Sequence, residues 1–273
     1  MVTEGDRNDV ARHRAHMPEG AASILDARSL ATAHRRLAAL LAPGLSVLDV
    51  GCGTGAITRG IAEAVGPDGR AVGVDVNPAL IEKARAAHGR VPGLTFEVSD
   101  AYTLPFDAVF DIVTAARVLQ WLADPLSAVR AMTAAARRGG RLVILDFNHD
   151  KAAWTPDPPP SMRRFYAAFL RWRTGAGMDN EIADHLALLM AKAGLARITM
   201  TEQHEVARRG DHDFETRAGI WAEVAASRGH QMVADGAISE AERRSAELDY
   251  RAWLRADAVS HTMYMLAVEG VRT

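Results

Sequence analysis

Three glycines within five positions mark the part of this 273-residue chain that is best suited to bind a ligand. Gly51, Gly53 and Gly55 directly follow a short apolar segment, residues 47–50, which is typical of a buried strand and contains Asp49. A helix is expected to begin at Ala56. Glycine lets the backbone approach a ligand closely, and the start of a helix presents free N–H groups. The segment therefore predicts a strand-turn-helix socket for a polar, nucleotide-like ligand.

Two further carboxylates follow predicted strands. Asp75 ends the second strand, where an acid can accept hydrogen bonds from ribose hydroxyls, and Asp100 follows the third, where it can accept one from an adenine amino group. The glycine segment also fits the G-x-G-x-x-A form of the dinucleotide fingerprint, so an NAD-dependent oxidoreductase is an alternative. Asp49 would repel a pyrophosphate, however, and favours a ligand that carries positive charge.

Strands and helices alternate through the first half of the chain. Strands are predicted at 46–50, 71–75, 94–98, 109–114 and 141–147, with helices at 56–65, 78–88 and 125–138. This order is typical of an α/β protein whose parallel sheet is covered on both faces. Before it, Ser23 is expected to begin a helix. After it, helices are predicted at 162–173, 181–193, 213–228 and 239–257, and strands at 198–206 and 262–268.

These motifs resemble the class I S-adenosylmethionine-dependent methyltransferases. The matching segments are residues 47–55, 73–75, 99–101, 106–107 and 117–121, together with Pro125 and residues 139–142. The resemblance is strong over residues 44–147 and rests on layout beyond them. It implies a Rossmann-like fold with a seven-stranded, mostly parallel sheet whose last strand is antiparallel. It also implies S-adenosyl-L-methionine as the cofactor, and the layout is most similar to the bacterial secondary-metabolite enzymes that methylate small molecules.

The resemblance also assigns cofactor-binding positions. It implies that Asp49 lies near the amino group of the cofactor, that Asp75 binds both ribose hydroxyls and that Asp100 binds the adenine amino group. Val76 and Ala101 would contact the adenine. The positions implied along the methionine part and towards the substrate are Gly51, Cys52, Gly53, Gly55, Arg117 and Gln120. Gly53 and Gly55 could instead serve only the turn and the packing of the helix.

The acceptor is expected to bind outside this core. We divide the chain into an N-terminal helical or lid segment (1–43), the cofactor core (44–147), a lid insertion (148–180) and a remainder (181–273) with a helical insertion at about 211–258. His149 is the predicted catalytic base, because it directly follows the fifth strand and an imidazole titrates in the useful range; a surface histidine is the alternative. The predicted acceptor-binding residues are Met17, Trp121, Asn148, Trp154, Phe165, Tyr166, Trp172, Met178 and Asp179. Some of the aromatic residues could instead pack the core of the insertion.

Composition narrows the class of partner. A net charge of −2 gives no bulk field to attract nucleic acid or an anionic membrane. No apolar run is long enough to span a bilayer, and Cys52 is the single cysteine of the sequence. A cytoplasmic protein without an intrachain disulfide is therefore expected. No metal site is predicted, and a homodimer is possible. The sequence therefore predicts methyl transfer to O, N or C of a small aromatic or apolar molecule, with an NAD-dependent oxidoreductase or a non-catalytic cofactor-binding module as alternatives.

Overall fold

The computed structural model describes residues 4–16, 25–26 and 28–273, with side chains from residue 8 onward. Within these ranges the strands are β1 (Ser46–Val50), β2 (Arg70–Asp75), β3 (Leu94–Val98), β4 (Phe110–Ala116), β5 (Ala136–Thr155), β6 (Leu195–Glu202), β7 (Glu205–Arg208) and β8 (Ser260–Arg272). The helices of the first half are α1 (Glu4–Ala15), α2 (Leu30–Ala33), α3 (Arg35–Ala38), α4 (Ala56–Val65), α5 (Pro78–His88) and α6 (Pro125–Ala135), with a 3₁₀ turn at Leu119–Trp121. Those of the second half are α7 (Pro160–Thr174), α8 (Ile182–Lys192), α9 (Phe214–Ala218), α10 (Ile220–Ala226), α11 (Arg228–Ala234) and α12 (Glu240–Ala256).

The strands form one sheet in the order β3-β2-β1-β4-β5-β8-β6, with β7 also paired to β8. Neighbours from β3 to β5 are parallel, and β8 runs antiparallel between β5 and β6. The α/β class, the mostly parallel sheet and the antiparallel last strand are therefore confirmed. The predicted strand 198–206 is divided into β6 and β7, because Gln203 leaves the ladder and turns its side chain to accept from the Arg36 N–H.

The central strands have the apolar character of a sheet buried on both faces. Leu48, Val72 and Val113 are fully buried on neighbouring strands. On the other face, α4 packs an apolar stripe that includes Ile57 and Ile61 against the alternate residues of the same strands, Val47, Ala71 and Ile112. This packing fixes the carboxyl ends of β1 to β4 at one edge of the sheet, where parallel α/β proteins bind their ligands.

The fifth strand is longer than the sequence predicts. β5 continues past Phe147 to Thr155, pairing with β8 from Arg141↔Val271 to Thr155↔Ser260 with a bulge between Asn148 and Ala153. The 13 residues of β8 supply a backbone partner beyond the edge of the parallel sheet. The prediction that the strand ends at 147 is therefore wrong, and residues 148–155 are part of the sheet and do not form a lid loop.

Two helix predictions also need correction. The helix predicted at 125–138 ends at Ala135, because Ala136 already pairs with Phe110 in the sheet. Ser23, the predicted helix start, lies outside the described residues, and the following segment forms the two short helices α2 and α3. They are separated at His34, whose imidazole turns inward to contact Thr114.

The helices of the second half form one cover over the edge of the sheet. α7 packs on α12, and α12 packs on α10. Their facing sides share an aromatic core that includes Phe165, Trp221, Tyr250 and Trp253. The two insertions expected from the sequence are thus joined in one layer. No helix in the described ranges has both the length and the apolar character needed to cross a membrane.

Candidate cofactor and acceptor site

A cavity of about 530 Å³ lies at the carboxyl ends of β1 to β4. Its volume is in the range typical of sites that enclose small molecules. The glycine turn and the ends of the strands form one side of the cavity, and the helical cover forms the other. Residues of α1, including Ala11, Arg12 and Ala15, lie across its mouth.

The glycine turn has a backbone that other residues would adopt only with strain. Gly51 has φ +73°, and a Cβ there would lie 2.4 Å from Val118. Gly55 has φ +80°, and a Cβ there would lie 2.5 Å from the ring of Phe96. Gly51 lines the cavity, as predicted, but Gly55 does not. Gly55 is needed for the turn and for packing the helix on β3, which corrects its placement among the cofactor contacts.

Asp49 is buried at the end of β1 and lines the cavity. Its carboxylate accepts a hydrogen bond of 2.7 Å from the Thr58 hydroxyl. Burial raises the pKa of Asp49 to about 7, although the bond from Thr58 lowers it. A cation brought into the cavity would favour the ionised carboxylate. Asp49 is therefore suited to an ammonium group.

Asp75 and Asp100 lie at the same edge of the sheet. The Asp75 oxygens accept N–H groups from Gly53 and Asn77, each at 2.9 Å. Burial raises the pKa of Asp75, and these two backbone bonds lower it. Asp100 accepts the N–H of Tyr102 at 3.0 Å and pairs with Arg12 of α1. Each carboxylate is thus held in place by the backbone while it lines the cavity.

The donor and acceptor groups along this edge fit the predicted cofactor. Cys52, Gly53, Val76 and Ala101 line the cavity together with the three carboxylates. Val76 has 60% of its surface exposed, which leaves an apolar contact for a flat base. The hydroxyl of Thr54 is buried beside the cavity without a hydrogen-bond partner in the described part of the chain. In the same part, no group of three His, Cys, Asp or Glu side chains is arranged to hold a metal ion.

His149 occupies the other side of the cavity and is 4% exposed. Its Nε2 lies 2.7 Å from Oε1 of Gln120, which also accepts from Arg173 at 3.4 Å. The Gln120 amide NH₂ donates to the carbonyl of Arg117 at 3.3 Å. A guanidinium can only donate, so Oε1 is an acceptor and the histidine proton must be on Nε2.

The other imidazole nitrogen is therefore an unprotonated acceptor. The His149 Nδ1 is buried and has no hydrogen-bond partner among the residues that the structure describes. Burial lowers the pKa of His149 well below its ordinary value, and the Arg173 cation lowers it further. His149 is consequently neutral at physiological pH, with a free lone pair.

Aromatic rings surround this histidine. The ring centres of Phe147, Phe169 and Trp221 lie 5.4, 5.9 and 6.2 Å from that of His149. All three line the cavity, and so does Trp121. Trp121 was among the predicted acceptor contacts, and Phe169 and Trp221 belong to the two aromatic helical segments. These rings give this side of the cavity an aromatic, apolar wall.

The structure places most of the other predicted acceptor contacts away from the cavity. Asn148 faces the opposite side of β5 from His149 and donates to Asp184 at 2.8 Å. Asp179 contacts His185 at 2.6 Å, outside the cavity. Met178 packs against Ala11 and Ala176. Met17 lies outside the described residues.

The aromatic residues of this group have structural partners. Phe165 is 2% exposed in the core of the helical cover. The indole N–H of Trp154 donates to the Tyr250 hydroxyl at 3.0 Å, and that of Trp172 donates to Asp235 at 2.7 Å. The Tyr166 hydroxyl donates to the carbonyl of His149 at 2.6 Å, which supports the site from behind. The interpretation of these residues as packing, which the sequence left open, therefore accounts for their contacts.

Arginines of the cavity wall were missed by the sequence. Arg28 and Arg228 line the cavity, and the predicted residue Arg117 places its guanidinium against Glu205 and the carbonyl of Ala33. Arg117 has φ +62°, and its N–H donates to Leu145 at 2.7 Å, so its backbone is fixed at the end of β4. Tertiary packing alone brings Arg28 and Arg228 to the site. The sequence around them therefore contains no local motif from which their position could be predicted.

Comparisons with known proteins agree with this geometry. A family model described as a methyltransferase domain matches residues 41–183, more than half of the chain. A ubiquinone/menaquinone biosynthesis C-methyltransferase UbiE of Hahella chejuensis is 38% identical over 109 residues, 38% of this chain and 44% of the relative. An O-methyltransferase, cnsE, of Penicillium expansum is 34% identical over 180 residues, 64% of this chain and 61% of the relative.

A solved structure with the same fold extends over most of the chain. The solved structure of the YcgJ protein of Bacillus subtilis superposes with a TM-score of 0.56 at 18% identity, covering 88% of this chain and 99% of that one. The chain spans less than half the length of the first curated relatives it matches. The Rossmann-like methyltransferase fold and S-adenosylmethionine as the cofactor are confirmed, which sets the NAD-dependent alternative aside. The chain therefore belongs to the methyltransferase domain family, as a class I S-adenosylmethionine-dependent member.

Proposed function

We propose that this chain transfers a methyl group to a small, flat and largely apolar acceptor, with His149 as the general base. The observation that carries the proposal is His149, whose side chain lines the same cavity as Asp49, Asp75 and Asp100 and whose buried Nδ1 has no hydrogen-bond partner among the described residues. The cavity thus combines a cofactor side of carboxylates with an acceptor side that holds one unprotonated nitrogen among aromatic rings.

The three carboxylates would bind the cofactor on their side of the cavity. Asp49 would bind the ammonium group, Asp75 the ribose hydroxyls and Asp100 the adenine amino group, with Val76 against the base. When bound, S-adenosylmethionine supplies a methyl group on a sulfonium, and the sulfur keeps the electron pair of the broken C–S bond. The protein then needs no covalent intermediate, since positioning and exclusion of water can supply most of the rate.

On the acceptor side, His149 would take the proton of the acceptor at Nδ1 as the new bond to the methyl carbon forms. Its low basicity and the nearby Arg173 cation disfavour a long-lived imidazolium. The best acceptors are therefore those with an acidic O–H or C–H, such as a phenol, an enol or a quinol. The names of the two relatives, a C- and an O-methyltransferase, are both consistent with such acceptors.

The larger organisation follows from the same proposal. Residues 1–43, the part of the predicted insertion 148–180 that follows β5 and the insertion at about 211–258 would act as a lid around the core at 44–147, with the rest of 181–273 completing the sheet. Arg12 and Ala15 already lie at the cavity mouth, and Phe169 and Trp221 form its wall. A cytoplasmic location, the absence of nucleic acid and membrane partners and a possible homodimer stay predictions of the sequence.

The test combines binding and turnover. Thermal stabilisation by S-adenosylhomocysteine and not by NADH is expected first. Methyl-deuterated S-adenosylmethionine is then incubated with a panel of hydroxynaphthalenes and naphthoquinols, and labelled products are detected by mass spectrometry. We expect His149→Asn to keep the affinity for S-adenosylhomocysteine within about threefold while turnover falls at least about 100-fold.

A matched control is the buried His34, whose Nε2 contacts Thr114 at 3.1 Å away from the cavity. His34→Asn should keep normal turnover in the fraction that folds. Unchanged turnover in His149→Asn would remove His149 from the mechanism. Cofactor binding without any methylated product from the panel would favour the non-catalytic cofactor-binding module.

A further inference from the structure

The guanidinium of Arg228 is a buried cation in the acceptor half of the cavity. Arg228 begins α11, is 7% exposed and lines the cavity. Its guanidinium carbon lies 4.1 Å from the centre of the Trp121 ring. That of Arg173 lies 4.7 Å from the centre of the same ring. Two cations thus share one indole at the edge of the proposed acceptor site.

No acid that the structure describes compensates the charge of Arg228, whereas the buried Asp146 attracts the Arg173 cation. Arg173 donates to Asn180 and to the backbone of Gln120, and no described carboxylate forms an ion pair with it or with Arg228. Burial and the Arg173 cation lower the pKa of Arg228 to about 9. A buried guanidinium beside a like charge is unfavourable unless an anion compensates it. Arg228 therefore favours a negatively charged ligand.

A structural role explains only part of this arrangement. One Arg228 nitrogen, Nη1, donates to the carbonyls of Arg14 and His16 at the end of α1 and to Gln231. A cation at a helix carboxyl end is favourable, so Arg228 helps to hold α1 across the cavity. That role does not need the guanidinium to line the cavity or to lie on Trp121, which is itself a cavity residue.

Arg228 differs from the other arginines that line the cavity, because these have described acidic neighbours: Arg12 pairs with Asp100, Arg117 pairs with Glu205, and Glu205 also attracts Arg28. Asp49, Asp75 and Asp100 lie at the ends of β1, β2 and β3, on the cofactor side. Arg228 lies on the helical cover, beside the aromatic wall. A ligand that extends from the methyl group towards this wall passes from an acidic to a basic environment. An anionic group on the acceptor would thus fix its orientation in the cavity.

We propose that the methyl acceptor carries an anionic oxygen group, of which a carboxylate is the simplest, and that Arg228 binds this group while the flat body of the acceptor lies against Phe169 and Trp221. The inference rests on the proposed function and specifies its substrate class. Arginine is suited to this task, since its planar donors match a carboxylate. In this arrangement His149 acts on one end of the acceptor and Arg228 anchors another.

The test compares two probes of the same shape and different charge. 2-Naphthoate and 2-naphthamide are titrated into the full chain loaded with S-adenosylhomocysteine, and binding is followed by calorimetry. We expect the wild-type protein to bind the acid at least about tenfold more tightly than the amide. Arg228→Gln should reduce this preference to less than about threefold, with the affinity for the amide nearly unchanged. Arg228→Lys should keep part of the preference.

The control is Arg171→Gln, which removes a guanidinium from the exposed side of α7 and should leave the preference intact. If Arg228 only holds α1, Arg228→Gln would weaken both probes equally, and the proposal is wrong. Equal affinity of the two probes in the wild-type protein, or no binding of the acid, also overturns it, even if Arg228→Gln does not fold. Failure of S-adenosylhomocysteine to bind would instead contradict the proposed function, and the same titration without it would still measure the charge preference of the cavity.

Discussion

Replacing Gln120 by leucine should move the proton on His149 from one ring nitrogen to the other. The Gln120 Oε1 is the acceptor that holds the proton on Nε2, at 2.7 Å. Leucine has a similar size and no acceptor. Arg173 would lose only its contact of 3.4 Å and would keep the Gln120 carbonyl at 2.7 Å and Asn180 at 2.8 Å. The Arg117 carbonyl would also lose its donor, at 3.3 Å, so the shortest bond that the change removes is the one to the histidine.

The size of the effect follows from the two positions available to the proton. In the variant, a proton on Nε2 faces the leucine side chain as a buried, unsatisfied donor, at a cost of about 1–3 kcal/mol. A proton on Nδ1 can be accepted by the oxygen of the methyl acceptor, which the proposed function places against this nitrogen. The unprotonated Nδ1 that serves as the base then becomes the minor form, by a factor of about 5 to 140. Turnover should fall by a similar factor, with cofactor affinity unchanged.

The assay measures the proton position directly. Nitrogen-15 spectra of labelled imidazoles distinguish the two tautomers, and methyl transfer is measured on the same samples. Thr114→Val is the matched control, because Thr114 is the acceptor for the Nε2 of another buried histidine, His34, at 3.1 Å. It should lose about 1–3 kcal/mol of stability and no turnover. Persistence of the Nε2 tautomer in Gln120→Leu, or equal loss of turnover in both variants, would refute the reasoning.

Two more predictions concern the cofactor side. Because the pKa of Asp49 is about 7, the affinity for S-adenosylhomocysteine should fall as the pH drops below 7, by up to about tenfold per pH unit. Asp49→Asn should remove this pH dependence. Calorimetry from pH 5.5 to 8.5 measures the affinity of both proteins, and the same slope in both would contradict the prediction. Gly55→Ala should lower the free energy of unfolding by about 2–5 kcal/mol. This value is the sum of the cost of a left-handed backbone at a residue with a Cβ and the cost of relieving the 2.5 Å contact between that Cβ and Phe96. Gly236→Ala, at a helix-ending glycine with φ +71° and nothing within 4 Å, should cost only about 1–2 kcal/mol in the same urea titration, and equal losses would exclude the contact as the cause.

The cofactor side was accessible to sequence reasoning because its geometry is local. Asp49, Asp75 and Asp100 each end or follow a strand that is closely followed by a turn or helix, and parallel strands bring such ends to one edge. A short segment therefore carries both the residue type and its position. Gly55 marks the limit of this reasoning, since its contact with Phe96 depends on how α4 packs on β3.

The acceptor side depends on pairings that no single segment contains. Residues 148–155 become part of β5 only because β8, more than 100 residues later, continues beside them. Once the strand is known to continue, alternation separates its side chains: Phe147 and His149 face the cavity and Asn148 faces Asp184. A strand that ended at 147 would leave Asn148 and His149 equally free to reach the acceptor. The same dependence applies to Arg228, which reaches Trp121 only through the packing of the helical cover. The groups proposed to select the acceptor are thus fixed by tertiary structure, which is why the sequence identified the methyl donor and not the charge of the acceptor.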